Sequence, residues 1–208
     1  MSKLLYVKAS PRRERSHSVA VADAFAEAYA KTNPSDEIAV LDVFERDLPQ
    51  FEGDTLQGKY NILHGLEYTA EQRRKWDVVE SMVEEFASAD KYVFAVPMWN
   101  FHIPYRLKHY LDIIIQPSYV FTVTEAGGYQ GLLSGKVYVS YARGGMYGPG
   151  TPAQGYNHQS PYMEMILGFM GLTVSCSTAV EGTLLDREAA AESRDRAMEQ
   201  AEEMARSF

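Results

Sequence analysis

Five short apolar runs, each closing on a polar or glycine-containing loop and followed by a segment of helical period, divide this chain into strand–helix units. That alternation is the feature that most constrains the fold. Strands joined through helices pair in parallel and need helices on both faces of the sheet. Lys3–Lys8 opens the series and breaks at Ala9-Ser10-Pro11. Val19, Ala22, Phe25, Ala26 and Tyr29 then recur at the three-and-four spacing of one helix face. Ile38–Val43 reads as the second strand, and Gly53 and Gly58 mark the stretch after it as loop. Thr69 and Gln72 form a capping-box pair ahead of a helix whose apolar face is Trp76, Val79, Met82, Val83 and Phe86. Lys91–Val96 is a buried strand stopped by Pro97, and Pro104 suits the first turn of a helix over Tyr105–Ile115. Tyr119–Val123, Glu125-Ala126-Gly127-Gly128 and Leu132–Gly135 read as an inserted hairpin or lid. Lys136–Tyr141 is a strand, Ser160–Gly171 a helix and Leu172–Val180 a strand. Asp186 caps a last helix reaching Arg206, with Glu192/Arg196 and Glu202/Arg206 at ion-pairing spacing. At 208 residues the whole chain, 1–208, is expected to be one domain.

Charge narrows the partners. Twenty-eight acidic against 20 basic residues give a net charge of −8, and the longest basic cluster, Arg12-Arg13-Glu14-Arg15, is too short to release counterions from a nucleic acid. The single cysteine, Cys176, permits no intrachain disulfide and fits a reducing compartment. No apolar run approaches the ~18 residues of a membrane span, and no secretory signal follows Lys3. A cytoplasmic protein without nucleic-acid or membrane partners is the expectation. The histidines, His17, His64, His102, His109 and His158, show no metal-ligand spacing, so no metal is expected.

In an open parallel sheet, ligands bind beyond the carboxyl ends of the strands. Three loops leave such ends: Ala9–Ser18, Pro97–Phe101 and Ala142–Tyr147. The first carries Ser10, Ser16, His17 and Ser18 and opens into a helix, whose unpaired N–H groups and dipole suit a phosphate. Serine before a helix is equally an ordinary N-cap. The second, Pro97-Met98-Trp99-Asn100-Phe101, suits a flat conjugated ring, or plugs the end of the sheet. The third, Ala142-Arg143-Gly144-Gly145-Met146-Tyr147, lets backbone approach a ligand edge, or is a plain turn. Neither G-x-G-x-x-G nor G-x-x-x-x-G-K-[ST] is present, which disfavours a dinucleotide or triphosphate site, and no G-x-S-x-G elbow supports a hydrolase. His102 lies beside the second loop as a candidate proton donor. Glu181-Gly182 follows the last strand and is placed to face the same cleft.

Together these loops resemble those of the FMN-dependent NADH-azoreductases, or NAD(P)H:quinone oxidoreductases, of the flavodoxin-like superfamily. The match is extended by Leu107-Lys108 with Asp112, Thr124-Glu125, Gly131-Leu132, Leu167-Gly168-Phe169 and Glu181-Gly182. The resemblance implies a doubly wound five-stranded parallel sheet in the order 2-1-3-4-5, with tightly but non-covalently bound FMN and with NADH or NADPH as co-substrate. It implies that Ser10, Ser16, His17 and Ser18 hold the phosphate. Pro97, Met98, Trp99, Asn100 and Phe101 would contact the ring, and Ala142, Arg143, Gly144, Gly145 and Tyr147 its pyrimidine side. Trp99, Phe121 and Phe169 would meet a quinone or azo substrate, in ping-pong order. No side chain is assigned as catalytic, since the flavin carries the chemistry. A homodimer with the site between subunits is implied, with Tyr119–Val123 and the Phe169 region at the contact. Two departures stand out: Ala142 replaces the family's usual serine, and Tyr147 a frequent histidine. Arg12, Arg13 and Arg15 could attract a 2′-phosphate, or form a solvated loop. The acidic surface suits a second reading, a flavodoxin-type electron-transfer protein without direct NAD(P)H activity.

Fourteen tyrosines against two tryptophans complete the reading. Tyr60, Tyr68, Tyr119 and Tyr129, with Phe121, fall in the two stretches that exceed a minimal sheet. Tyr141, Tyr147, Tyr156 and Tyr162 fall near the third loop. The excess is therefore expected to wall a flat ring rather than to fill the core.

Overall fold

A computed structural model describes residues 1–208. Its strands are β1 (Lys3–Lys8), β2 (Glu37–Asp42), β3 (Lys91–Pro97), β4 (Phe121–Val123), β5 (Tyr129–Gly131), β6 (Lys136–Ala142) and β7 (Thr173–Val180). Its helices are α1 (His17–Thr32), α2 (Gly53–Leu63), α3 (Ala70–Ala87), α4 (Tyr105–Ile114), α5 (Gln159–Phe169) and α6 (Arg187–Ala205). Five strands form one parallel sheet in the order β2-β1-β3-β6-β7. Counting sheet strands along the chain, this is the expected order 2-1-3-4-5, the flavodoxin-like arrangement. β4 and β5 make a separate antiparallel hairpin, as expected.

Alternation along the strands sorts the core into two layers. On one face Leu5, Val7, Tyr92, Phe94, Val96, Val137 and Val139 pack against α3, α4 and α5. On the other, Leu4, Tyr6, Val93, Ala95 and Tyr138 pack against α1 and α6. The α3 face is the one its periodicity predicts, Trp76, Val79, Met82, Val83 and Phe86, behind a complete Thr69/Gln72 capping box. Asp186 caps α6 through Ala189 N–H, and that helix buries only alanines, Ala190, Ala197, Ala201 and Ala205. Small side chains let α6 sit close on α1. No helix is long and apolar enough to cross a membrane.

Three expectations are corrected. The stretch marked as loop by Gly53 and Gly58 contains α2. Gly58 is glycine because a Cβ there would stand 3.0 Å from the Gln72 carbonyl oxygen, so it serves helix–helix approach rather than a turn. On α6, Glu192 and Arg196 pair at 3.6 Å, but Arg206 has left the helix as its C-cap and makes no ion pair with Glu202. The tyrosine excess is divided. Tyr6, Tyr29, Tyr92, Tyr110, Tyr138 and Tyr141 are buried core residues. Tyr119 donates to the Glu80 carboxylate and ties the hairpin's approach segment to α3.

The hairpin is seated on the turn before β7. Leu133 N–H donates to Met170 O at 2.9 Å, and a Cβ on Gly131 would stand 2.2 Å from Gly171 N. Backbone on that side cannot yield as a flexible side chain can. Gly131→Ala is expected to cost about 1–3 kcal/mol of stability through overpacking, seen as a lowered urea midpoint with unchanged slope.

Candidate active site

Loops from the carboxyl ends of four strands meet around one cleft of about 130 Å³. It is lined by Ser10, Arg12, Ser16 and His17 after β1, Pro97, Met98 and Trp99 at β3, Ala142 and Gly144 at β6, and Thr183 and Leu184 after β7. The first three groups are those expected from sequence. Thr183 and Leu184 were not anticipated. The Glu181-Gly182 signal pointed to their loop without reaching them.

Ser16 is the N-cap of α1, its hydroxyl accepting Val19 N–H at 3.4 Å and standing 3.2 Å from the Ser18 hydroxyl. Ser10, Ser16 and Ser18 are all buried. The N–H groups of His17 and Ser18 find no acceptor in the chain, because the helical ladder begins with Ala20 N–H on Ser16 O. Sheltered hydroxyls around uncommitted helix-start donors make a cradle for an anion. Arg13, in the left-handed region at φ 51°, bends the loop back so that its carbonyl accepts Ser16 N–H. Its side chain is engaged by Glu45 at 2.6 Å, while Arg12 lines the cleft. Burial, with help from Arg12 and Arg194, holds the His17 imidazole below its ordinary pKa.

The second loop is a tight reversal. Trp99 N–H donates to His102 O at 2.8 Å and His102 N–H to Trp99 O at 3.0 Å. The residues between, Asn100 and Phe101, have φ of 46° and 71°, the pattern of a type I′ turn. Asparagine accepts that conformation readily, whereas phenylalanine there costs about 1–2 kcal/mol. The turn leaves the N–H groups of both residues without an acceptor. Trp99 rests against Phe44 and Tyr105 with centroids 5.8 and 6.1 Å away, and Phe101 against Tyr147 and Tyr156 at 6.0 and 5.2 Å. His102 packs on Tyr162, and burial first, then His158 and Lys108, lower its pKa.

The third loop separates side chain from backbone. The Arg143 side chain, 5% exposed, is committed to the protein. Nε donates to Gln159 Oε1 at 2.9 Å, one terminal nitrogen to Glu181 Oε1 at 2.9 Å and the other to Ser160 Oγ at 3.1 Å. The same Glu181 oxygen accepts Tyr147 N–H at 2.9 Å. The Arg143 N–H is committed as well, to Val180 O at 2.8 Å. The carbonyls of Arg143, Gly144 and Gly145 accept from Thr183, Leu184 and Gly182, whereas the N–H groups of Gly144, Gly145 and Met146 have no acceptor. The turn's first three carbonyls are therefore taken while three of its N–H groups are free.

Phe121 and Phe169 stand 4.6 Å apart, with Tyr129 as the third ring. They sit where β6 and β7 begin, so a seven-residue strand, about 20 Å, separates them from the cleft at its other end. One chain does not bring Trp99, Phe121 and Phe169 together.

The chain matches the flavodoxin-like fold family (Flavodoxin_2) over residues 2–205. It is 52% identical over 210 residues, 100% of both chains, to an FMN-dependent NADH:quinone oxidoreductase of Nitratidesulfovibrio vulgaris (strain DP4). It is 44% identical to one of Desulfotalea psychrophila over 187 residues, 89% of this chain and 88% of the relative. Among solved structures, an azoreductase from Bacillus anthracis str. Sterne superposes with a TM-score of 0.90 at 31% identity, covering 100% of each chain. An FMN-dependent NADH-azoreductase from Bacillus anthracis str. Ames Ancestor, in complex with FMN, superposes with a TM-score of 0.87 at 26% identity, covering 99% of this chain and 100% of that one.

Two outcomes follow from the geometry. Arg143→Met leaves the Glu181 carboxylate buried and unpaired, and is expected to cost about 3–5 kcal/mol in urea unfolding. For His17, a folded-state pKa below the unfolded value of about 6.5 means that the unfolded chain takes up its proton first. His17 thus lowers stability as pH falls through that value and has no effect above it. NMR titration of the ligand-free chain should find its midpoint below 6.5, and inorganic phosphate should raise it.

Proposed function

This chain belongs to the flavodoxin-like family of FMN-dependent NADH:quinone oxidoreductases, and from that premise we propose that it reduces quinones and cleaves aromatic azo compounds at the cleft beside Trp99. FMN is its cofactor and NADH its electron donor. The observation that carries the reading is the fit between donor set and cofactor. Buried Ser10, Ser16 and Ser18 with the free N–H groups of His17 and Ser18 suit a phosphate dianion. The free N–H groups of Asn100, Phe101, Gly144, Gly145 and Met146 suit the heteroatom edge of a flavin, and Pro97, Met98 and Trp99 give its ring an apolar wall. Ala142 lacks the hydroxyl that a serine would add, so these backbone donors carry that edge. His17 and Arg143 have different parts, His17 through its N–H and Arg143 by holding the third loop.

When bound, FMN supplies the hydride chemistry. The chain binds it, orients it and keeps donors aimed at the edge where negative charge accumulates, without a reorganisation cost at the moment of transfer. Donor and acceptor use the Trp99 shelf in turn, which gives ping-pong kinetics. NADPH is a second donor, with Arg12 at the cleft as its 2′-phosphate contact. Phe121, Tyr129 and Phe169 lie too far from Trp99 to serve their own cleft, and Tyr129 is largely exposed. These facts support a homodimer in which the hairpin of a second copy completes each site.

Purified protein incubated with FMN should turn yellow, and NADH should bleach the flavin band until a quinone or azo dye restores it. A colourless product overturns the reading. Flavin reduction by NADH slower than by a protein reductase would assign the electron-transfer role instead. Double-reciprocal plots at varied acceptor should be parallel; converging lines refute the ping-pong order. Light scattering should give twice 23.4 kDa, and a particle of single mass would refute the dimer. Trp99→Ala should raise the acceptor KM about tenfold with the unfolding midpoint unchanged, since this ring is 37% exposed.

A further inference from the structure

The loop after β7 enters the cleft for a reason of its own. It is zipped to the third loop by three backbone hydrogen bonds, Gly182 N–H to Gly145 O at 3.0 Å, Thr183 N–H to Arg143 O at 3.1 Å and Leu184 N–H to Gly144 O at 3.0 Å. The Thr183 hydroxyl adds a fourth bond to Arg143 O, at 3.1 Å. Glu181 fastens the base of the same loop to Arg143 and to Tyr147 N–H. The segment is therefore held in place, yet the Leu184 side chain that it presents is 85% exposed. Single exposed leucines are common on protein surfaces. Here the leucine has a hydrogen-bonded backbone, lines the cleft and lies across Gly144.

Gly144 does not lie in the left-handed region, so no dihedral requires glycine there. A Cβ on Gly144 would stand 2.7 Å from Leu184 Cδ1 and 3.1 Å from Cγ. Glycine at this position leaves room for the leucine to lie over the turn.

We propose that Leu184 is a fourth binding element for the flavin nucleotide, an apolar clamp seated on Gly144 and positioned by the Arg143–Glu181 ion pair. This rests on FMN being the cofactor. Binding would remove the exposed isobutyl group from water. It would slow release more than capture, because the clamp's backbone is already in place.

The test is FMN affinity, read by quenching of flavin fluorescence on titration of apoprotein, with the release rate measured by exchange. Leu184→Ala should raise the dissociation constant about tenfold, mostly through faster release. Leu184→Met should restore it to within about twofold, since it returns the apolar volume. Gly144→Ala should weaken FMN binding in the wild-type background and much less in the Leu184→Ala background, because its Cβ acts by displacing the leucine. Light scattering on each variant separates the clamp from a subunit contact. Equal affinity of wild type and Leu184→Ala overturns the inference and leaves the proposed function standing. So does a loss of affinity that tracks dissociation of the dimer, or additive effects of the two substitutions. A wild-type chain that takes up no FMN overturns both together.

Discussion

Arg143 lies almost wholly out of water with its charge intact, and a lone buried cation costs several kcal/mol, so the carboxyl end of the sheet is arranged around its neutralisation. Glu181 supplies the counter-charge from the carboxyl end of β7, and Gln159 and Ser160 take the remaining donors from the start of α5. Gln159 in turn donates to Val96 O in β3. One guanidinium thus fixes the relative positions of three strand ends. The turn that follows it, Gly144 to Tyr147, inherits its conformation from those anchors. Without them the loop would lose the N–H that Glu181 holds at Tyr147, and the loop after β7 would lose its base.

A consistent polarity results at the top of the sheet. Carbonyls in the third loop are consumed by neighbouring backbone, while N–H groups at His17, Ser18, Asn100, Phe101, Gly144, Gly145 and Met146 are left over. Backbone donors carry no net charge and need no pKa tuning, so they suit a ligand that is anionic at one end and gains electron density at the other. The left-handed conformation of Phe101 is part of the same arrangement. The turn could relax only by surrendering the paired Trp99–His102 hydrogen bonds that aim two of those donors outward.

Much of this was legible in the residues. Periodicity located the α3 face residue by residue, Thr69 and Gln72 marked its start, and the order of strands and helices led to the sheet. The failures share a cause. Gly58 looks like a loop signal because a chain-local reading cannot tell a glycine that turns from one that lets Gln72 approach. Tyr141 looked available for a ligand because tyrosine is both apolar and polar, and only packing decides that its ring is buried. Phe121 and Phe169 were rightly placed together, but the sheet puts them at its opposite end from Trp99.

The sequence by itself determined the class of fold, the three loops that line the cleft and the family they resemble. These depend on alternation, capping and short contiguous motifs, and such information is local. Tertiary structure decided that the Arg143 side chain is held by Gln159, Ser160 and Glu181, that Leu184 crosses Gly144, and that a fourth loop lines the cleft. Each of these is a contact between residues at least 16 positions apart, set by where strands end in space and not by what stands beside them in the chain.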